Sequence, residues 1–439
     1  MTYVLAKQPL TNRDRNRLNP EDTAAHEWYR FVLSFPPHLV RDYLARFGIG
    51  ANQSVLDPFC GTGTTLVECK KQGVPAVGIE GNPMAHFAST VKCDWCVDPT
   101  ALILSAQEVH DAAHKQLEDD EIPDIPSLNG AVPSACMLRS LPNESSALLL
   151  SNSISPRPLH KALVLLAAIN KIAQPRCKPH MQLAFAKTVV YYASNLRFGP
   201  EVGLGKIKSD TAVVRPWFDL IQLMSNDLVY LLQRATNSTT VHLGDARDAA
   251  KYTQPNSIAA VITSPPYPNE KDYTRTTRLE SVLLGMLNTR EDLRRLKGTL
   301  VRSNTRGVYS HDSDDQWVNN HPEISRIARE IEARRLELGK TSGFERLYAR
   351  LTKLYFGGMM RHLASLRNVL RPGARLAYVL GDQASYLRVL IRTAHLLGDL
   401  SESLGYEVED IDLFRTRAAT ATRSELREEV LILRWPGGK

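Results

Sequence analysis

Two short stretches of the chain combine residue types that can act on a bound ligand. In "TSPPY", residues 263–267, the apolar run "SIAAVI" empties into two prolines and an aromatic ring. Pro265 and Pro266 have fixed φ and no amide protons, so the turn can neither continue a helix nor join the middle of a sheet, and its carbonyls stay free to accept. Alone, such a turn does no more than end a strand. In "LDPFCGTGTT", residues 56–65, Asp57 closes a strand while Gly61 and Gly63 make a turn that opens a helix. Glycines let the backbone approach a ligand closely, and the first turn of the helix offers unpaired amides. The spacing is not that of the dinucleotide fingerprint. The next strand ends at Glu80, 17 positions after Gly63 (80 minus 63). An acid there can accept from both hydroxyls of a ribose at the carboxyl edge of a parallel sheet.

The elements that must position these groups follow from periodicity. Residues 26–46 read as a helical preface broken by Phe-Pro-Pro, and 54–90 give strand, glycine turn, helix, strand, helix, the start of a parallel sheet. From about 100 to 240 helical periodicity replaces strand signals, around a Pro/Ser/Asn-rich connector near 123–158. Strands return at 239–249 and 257–267, followed by an irregular stretch to 342 that contains the charged helix "PEISRIAREIEARRLELGK". A helix over 344–370, an "RPG" turn, the strand "ARLAYVLGD", a helix near 385–404 and two terminal strands complete the pattern. The expected division is 1–100 as a cofactor half, 101–238 as a helical insertion, 239–285 as a catalytic half, 286–342 as a basic insertion and 343–439 as the remainder of the sheet. Both insertions are candidate partner-contacting regions.

"DPFCGTGTT" together with "TSPPY" resembles the amino-methyltransferases that use S-adenosylmethionine to methylate exocyclic nitrogens of DNA bases, whose signatures are FxGxG and (D/N/S)PP(Y/F/W). The resemblance covers about 26–95, 239–285 and 365–435. It implies an α/β, Rossmann-like class I methyltransferase fold, with a mostly parallel twisted sheet, a C-terminal antiparallel strand pair and large helical insertions. Carried over by residue, Asp57, Phe59, Gly61, Gly63 and Thr64 would cradle the cofactor, Glu80 its ribose, and Asp245 in "LGDA" its adenine amine. Phe35 in "FPPH" would close over the methionyl end. Ser264 and the carbonyl of Pro265 would accept from the target amine, Pro266 would hold the turn rigid, and Tyr267 would stack on an extruded base. The Ser form of the second motif resembles the N4-cytosine branch. Adenine N6, guanine N2 of RNA, and a cofactor-binding module without turnover are the rival readings. The resemblance also implies a cognate restriction endonuclease as a candidate partner and leaves oligomeric state open.

Asp272, Tyr273 and Arg275 in "NEKDYTR" follow the catalytic turn and are expected to line a base pocket. Between 290 and 306 there are six Arg/Lys against two acids, and Arg294, Arg295, Lys297, Arg302 and Arg306 are the expected DNA contacts. "NLRFGPEVGLGKIKS", residues 195–209, is a candidate lid or DNA contact. With 439 residues and 43% hydrophobic content, the chain is expected to be globular, and its formal net charge of +7 suits a polyanionic partner. No run has the roughly 18 apolar residues of a membrane span and no secretory signal opens the chain, so a cytoplasmic location is expected. "CDWC" at 93–96 has no second pair at zinc spacing, so no metal is expected. The absence of a "PCQ"-like cysteine disfavours carbon-5 cytosine chemistry.

Overall fold

The computed structural model describes residues 18–29, 34–125, 138–198, 202–234, 237–418 and 425–438. Its centre is a seven-stranded sheet built from β1 (Ser54–Asp57), β2 (Ala76–Glu80), β5 (Thr239–Leu243), β6 (Ile258–Thr263), β7 (Leu370–Gly381), β8 (Glu407–Ala418) and β9 (Glu425–Trp435), in the order β5-β2-β1-β6-β7-β9-β8. The first five in that order are parallel, and β9 runs antiparallel to both β7 and β8. This is the Rossmann-like methyltransferase arrangement with its antiparallel C-terminal pair.

All six residues of β6, "IAAVIT", are buried, as expected of a strand covered on both faces. Alternation then divides the side chains between two cores. Val55, Ala260 and Ile262 join one cluster, and Leu56 and Val261 join the other. The first core is shared with the helices Pro37–Phe47, Thr64–Lys71 and Pro83–Lys92, and it runs without a break into the helical insertion through Met181, Phe185 and Trp217. Trp28 Nε1 adds a 2.7 Å hydrogen bond to Asp227 in the insertion helix Val214–Leu231. The second core lies under the helices Pro322–Glu337, Tyr348–Leu366 and Thr393–Ser403.

Helix starts follow their local chemistry. Proline opens the helices at Pro37 and Pro83, where its missing N–H costs nothing, and the Asn82 side chain accepts from Met84 and Ala85 amides. A charge cluster ties the first helix to the glycine-turn helix: Arg41 reaches both Asp22 and Glu68, and His26 meets Glu68 at 2.8 Å. Burial lowers the His26 pKa to about 4, so its role here is structural.

Three expectations are corrected. "RPG" is not a free turn: Leu370 already pairs with Ile258, and residues 371–373 bulge out before pairing resumes at Arg375 opposite Ala260. The helix near 385–404 begins only at Thr393, because Leu387 and Arg388 both adopt positive φ. The helical insertion also carries a small antiparallel hairpin, β3 (Leu196–Phe198) with β4 (Val202–Leu204), preceded by a π-helical turn over Val189–Ala193.

Candidate active site

β1 is flanked by β2 on one side and β6 on the other, so the direction of winding reverses between β1 and β6. Ligands of doubly wound sheets bind beyond the carboxyl ends of the strands at such a point. A cavity of about 260 Å³ opens there, lined by residues that follow β1, β2, β5 and β6 and by Val379 of β7. Both stretches singled out for chemistry border it.

The glycine turn contributes Pro58 through Thr62 and Thr64 to the lining. Gly61 has φ +51°, and a Cβ added to it would meet no protein atom within 4 Å, so the space beside it belongs to the cavity. Gly63 serves differently. Its φ is +85°, and an added Cβ would lie 2.9 Å from Ser89 Cβ, so this glycine permits close packing of two helices and does not line the cavity. Asp57 is also withdrawn: it is fully buried, accepts from Thr263 Oγ1 at 2.6 Å and from the Phe59 amide at 3.2 Å, and so ties the end of β1 to the end of β6. Burial raises its pKa to about 6.

Glu80 joins turn and sheet. Its Oε2 accepts from the Gly61 amide at 2.8 Å and its Oε1 from the Asn82 amide at 2.7 Å. Each carboxylate oxygen has a second lone pair. Burial pushes the Glu80 pKa up to about 7, against the pull of those backbone donors. Asp245 does not line the cavity, although Gly244 and Ala246 on either side do. Its carboxylate caps the Arg247 amide and is held by the Arg247 guanidinium, which also reaches Asp314 at 2.6 Å and the Gly298 carbonyl at 2.9 Å. Phe35, Phe59 and Thr64 line the cavity, with Ser34 beside Phe35.

At the other motif, Ser264, Pro265, Pro266 and Tyr267 all line the cavity. Ser264 Oγ donates to the Val379 carbonyl at 3.2 Å. With its proton committed to the neighbouring strand, the hydroxyl keeps its lone pairs for accepting. The Tyr267 ring packs against Gly381, where an added Cβ would come within 3.0 Å of Cε2, and the Tyr267 amide donates to Tyr273 Oη at 3.3 Å.

Asp272 and Tyr273 line the cavity and Arg275 does not. Asp272 accepts from Thr274 Oγ1 at 2.6 Å and from Lys297 Nζ at 3.1 Å. Burial works to raise its pKa, but Lys297 and the Thr274 hydroxyl outweigh it and hold the carboxyl below its ordinary value. Lys297 is therefore a cavity residue paired to an acid. Arg302 is likewise withdrawn from the surface: it is buried, donates to both Asp312 oxygens at 2.9 and 2.7 Å, and donates to the carbonyls of Lys297 and Leu300. Arg306 is exposed over the Phe344 ring. Arg294 and Arg295 stay on the exposed face of the helix Arg290–Gly298.

Sequence reasoning missed two further walls. Thr299, Leu300 and Val301 roof the cavity near Gly81, whose missing side chain lets Leu300 Cδ2 come within 2.8 Å of where a Cβ would stand. An aromatic wall of Tyr29, Tyr191, Phe198 and Phe414 converges from three separate segments. The nearest sequence signal was the aromatic-rich "HEWYRF" next to "FPPH".

A cavity at the switch point of a mostly parallel sheet, bordered by a glycine turn, a strand-end acid and a Pro-Pro turn, is the arrangement of a Rossmann-like methyltransferase fold. Residues 9–89 match the family model described as DNA methylase. The chain is 23% identical to the Type II methyltransferase M.BsoBI of Geobacillus stearothermophilus, across 95% of this chain and 86% of that protein. It is 25% identical to M.AvaI of Nostoc sp. across 94% and 86%. A shorter stretch of 93 residues is 41% identical to M.MjaII of Methanocaldococcus jannaschii, covering 21% of this chain and 16% of that protein. The chain is thus similar to DNA methylases of the amino-methyltransferase family.

Proposed function

We propose that this protein methylates the exocyclic amine of a DNA base, with cytosine N4 as the acceptor and S-adenosylmethionine as the donor. The observation that carries this reading is that the glycine turn with Glu80 and the Ser-Pro-Pro-Tyr turn open on one cavity from the ends of adjacent strands. The empty space beside Gly61 and the carboxylate of Glu80 at the cavity wall suit a cofactor with a ribose. S-adenosylmethionine, when bound, supplies an electrophilic sulfonium methyl group.

The chain's own residues prepare the amine. The nitrogen of an exocyclic amine is conjugated with its ring and is a poor nucleophile. Acceptors aimed at its two protons favour the tetrahedral nitrogen on which the lone pair is available. Ser264 Oγ and the Pro265 carbonyl take that role, and the donation of Ser264 to Val379 fixes the direction of its lone pairs. Tyr267, braced by Gly381, holds the base face. Glu80, Gly61, Phe35, Phe59 and Thr64 hold the donor, while Asp57 and Asp245 act through the backbone they brace. Because a paired amine is out of reach, the base enters the cavity extruded from the duplex.

A neutral serine at the acceptor position favours cytosine in this reading, after the branch of the family that the motif resembles. M.BsoBI and M.AvaI are Type II methyltransferases by name, and we extend to this chain the action on DNA and a paired restriction endonuclease. Incubation with DNA and labelled cofactor, digestion to nucleosides and identification by mass should give N4-methyldeoxycytidine. N6-methyldeoxyadenosine would reverse the choice of base, and the absence of any methylated nucleoside would overturn the function.

A further inference from the structure

The hairpin β3–β4 and the π-helical turn before it are not used by the chemistry above, yet they form one wall of the cavity mouth. Val190, Tyr191, Phe198 and Val202 line it, and the Tyr191 and Phe198 rings lie 6.1 Å apart. The same element turns an apolar surface outward. Tyr191, Tyr192, Leu204 and Ile207 are 45%, 43%, 47% and 53% exposed.

This surface is built and held rigid. Asn195 is 2% exposed and is its hub. The Asn195 side chain donates to the Asn152 carbonyl at 2.9 Å and to Ser155 Oγ at 3.0 Å, and it accepts from the Lys208 amide at 2.8 Å. Its backbone adds bonds to the Ser153 carbonyl and from the Gly205 amide, each 2.7 Å. Lys208 Nζ closes the unit onto the Tyr192 carbonyl at 2.7 Å. A buried amide with so many partners fixes both ends of the hairpin against the connector around 152–155.

Two cations flank the patch. Arg197 and Lys206 are exposed. Asp210, the acid of this stretch among the described residues, is turned inward onto Lys161 Nζ at 2.6 Å, and Glu201 lies outside the described residues. Exposed aromatic rings flanked by cations, continuous with a cavity, match the stacking faces and phosphates of a nucleic acid strand.

We propose that the π-helical turn and the β3–β4 hairpin dock duplex DNA at the cavity mouth, with Tyr192 against the bases and sugars beside the extruded one and Arg197 and Lys206 on phosphates. This assignment rests on the reading of the cavity as a DNA base-methylation site. It gives the helical insertion its role through one rigid edge.

The test uses the full chain and a fluorescent duplex cut from a DNA fragment that the wild-type protein methylates. In the Arg197→Ala/Lys206→Ala variant the slope of log affinity against log salt should fall by about 1.8, at about 0.9 per lost duplex contact. Tyr192→Ala should weaken binding by about fivefold to a hundredfold, the range of one base–aromatic stack. S-adenosylhomocysteine affinity, measured by calorimetry, should match wild type in both variants, which shows that they are folded and that the cofactor site is untouched. A change in either DNA measurement places DNA on the hairpin. Wild-type slope and wild-type affinity together overturn the proposal while leaving the methylation reading intact. A wild-type protein that methylates no DNA overturns the methylation reading itself. Tighter binding to an RNA of the same sequence, lost in these variants, would replace DNA by RNA as the occupant.

Discussion

Cofactor affinity should depend on pH through Glu80. The carboxyl lines the cavity half-buried, takes backbone amides on both oxygens, and has its pKa raised to about 7. Ribose hydroxyls donate to it, so the ionised form is the one that binds well. The sign follows from that pKa. Above 7 the acid is already charged and affinity is flat. Below 7 it must first lose a proton, and affinity falls as pH falls, approaching tenfold per unit. At pH 6 the acid is about nine-tenths protonated, so binding should be about tenfold weaker than its limit and release about 0.9 proton. Calorimetry of S-adenosylhomocysteine binding from pH 5.5 to 8.5, repeated in two buffers of different ionisation enthalpy, reads both quantities. Glu80→Gln should bind about tenfold to a hundredfold more weakly at pH 8, as expected for losing a hydrogen bond to a charged group, and its affinity should vary far less with pH. Asp57, whose charge lies close enough to raise the Glu80 pKa, remains ionisable in that variant and accounts for any residual slope. A wild-type affinity that is level across the range, or accompanied by proton uptake at pH 6, would refute the assignment of Glu80 to the ribose.

The two glycines of the turn should separate in their effects. Gly63→Ala should lower the melting temperature because its Cβ collides with Ser89, whereas Gly61→Ala, with a milder strain of roughly 1 kcal/mol at positive φ, should mainly reduce cofactor affinity; equal losses of stability with unchanged affinity would contradict this. Ser264→Ala should keep cofactor affinity and slow single-turnover methyl transfer by about a hundredfold, the cost of one preorganised polar contact; a wild-type rate would reduce the turn to a strand terminator. Leu300→Ala should weaken cofactor binding by about tenfold with no change in the salt dependence of DNA affinity, read by calorimetry and by anisotropy. Arg294→Ala/Arg295→Ala should flatten that salt dependence without unfolding, whereas Arg302→Ala, which strands buried Asp312, should lower the melting temperature by several degrees.

The sequence by itself determined the sheet strands and the two turns that face the cavity. Apolar runs such as "SIAAVI", a glycine turn opening a helix and an acid at the next strand end are local signals, each set by backbone geometry within a few residues. Gly61, Glu80 and Ser264, the residues those signals single out, all line the cavity. The hairpin β3–β4 escaped because strands of three residues are too short for a period of two to register. Only the tertiary structure decided which charges were available. Arg302 and Lys297 read as phosphate contacts, yet Asp312 and Asp272, 10 and 25 positions away, have already taken them. Asp245 read as a ligand contact, but its carboxylate is held by Arg247, which also reaches Asp314, 67 positions further on. Gly63 read as a cofactor contact until the helix carrying Ser89 came against it. The same division explains the aromatic wall, whose rings come from positions 29, 191, 198 and 414. A turn or a strand is fixed by neighbours in sequence, whereas the state of a charge and the lining of a cavity are fixed by neighbours in space, and those exist only once the sheet has brought distant segments together.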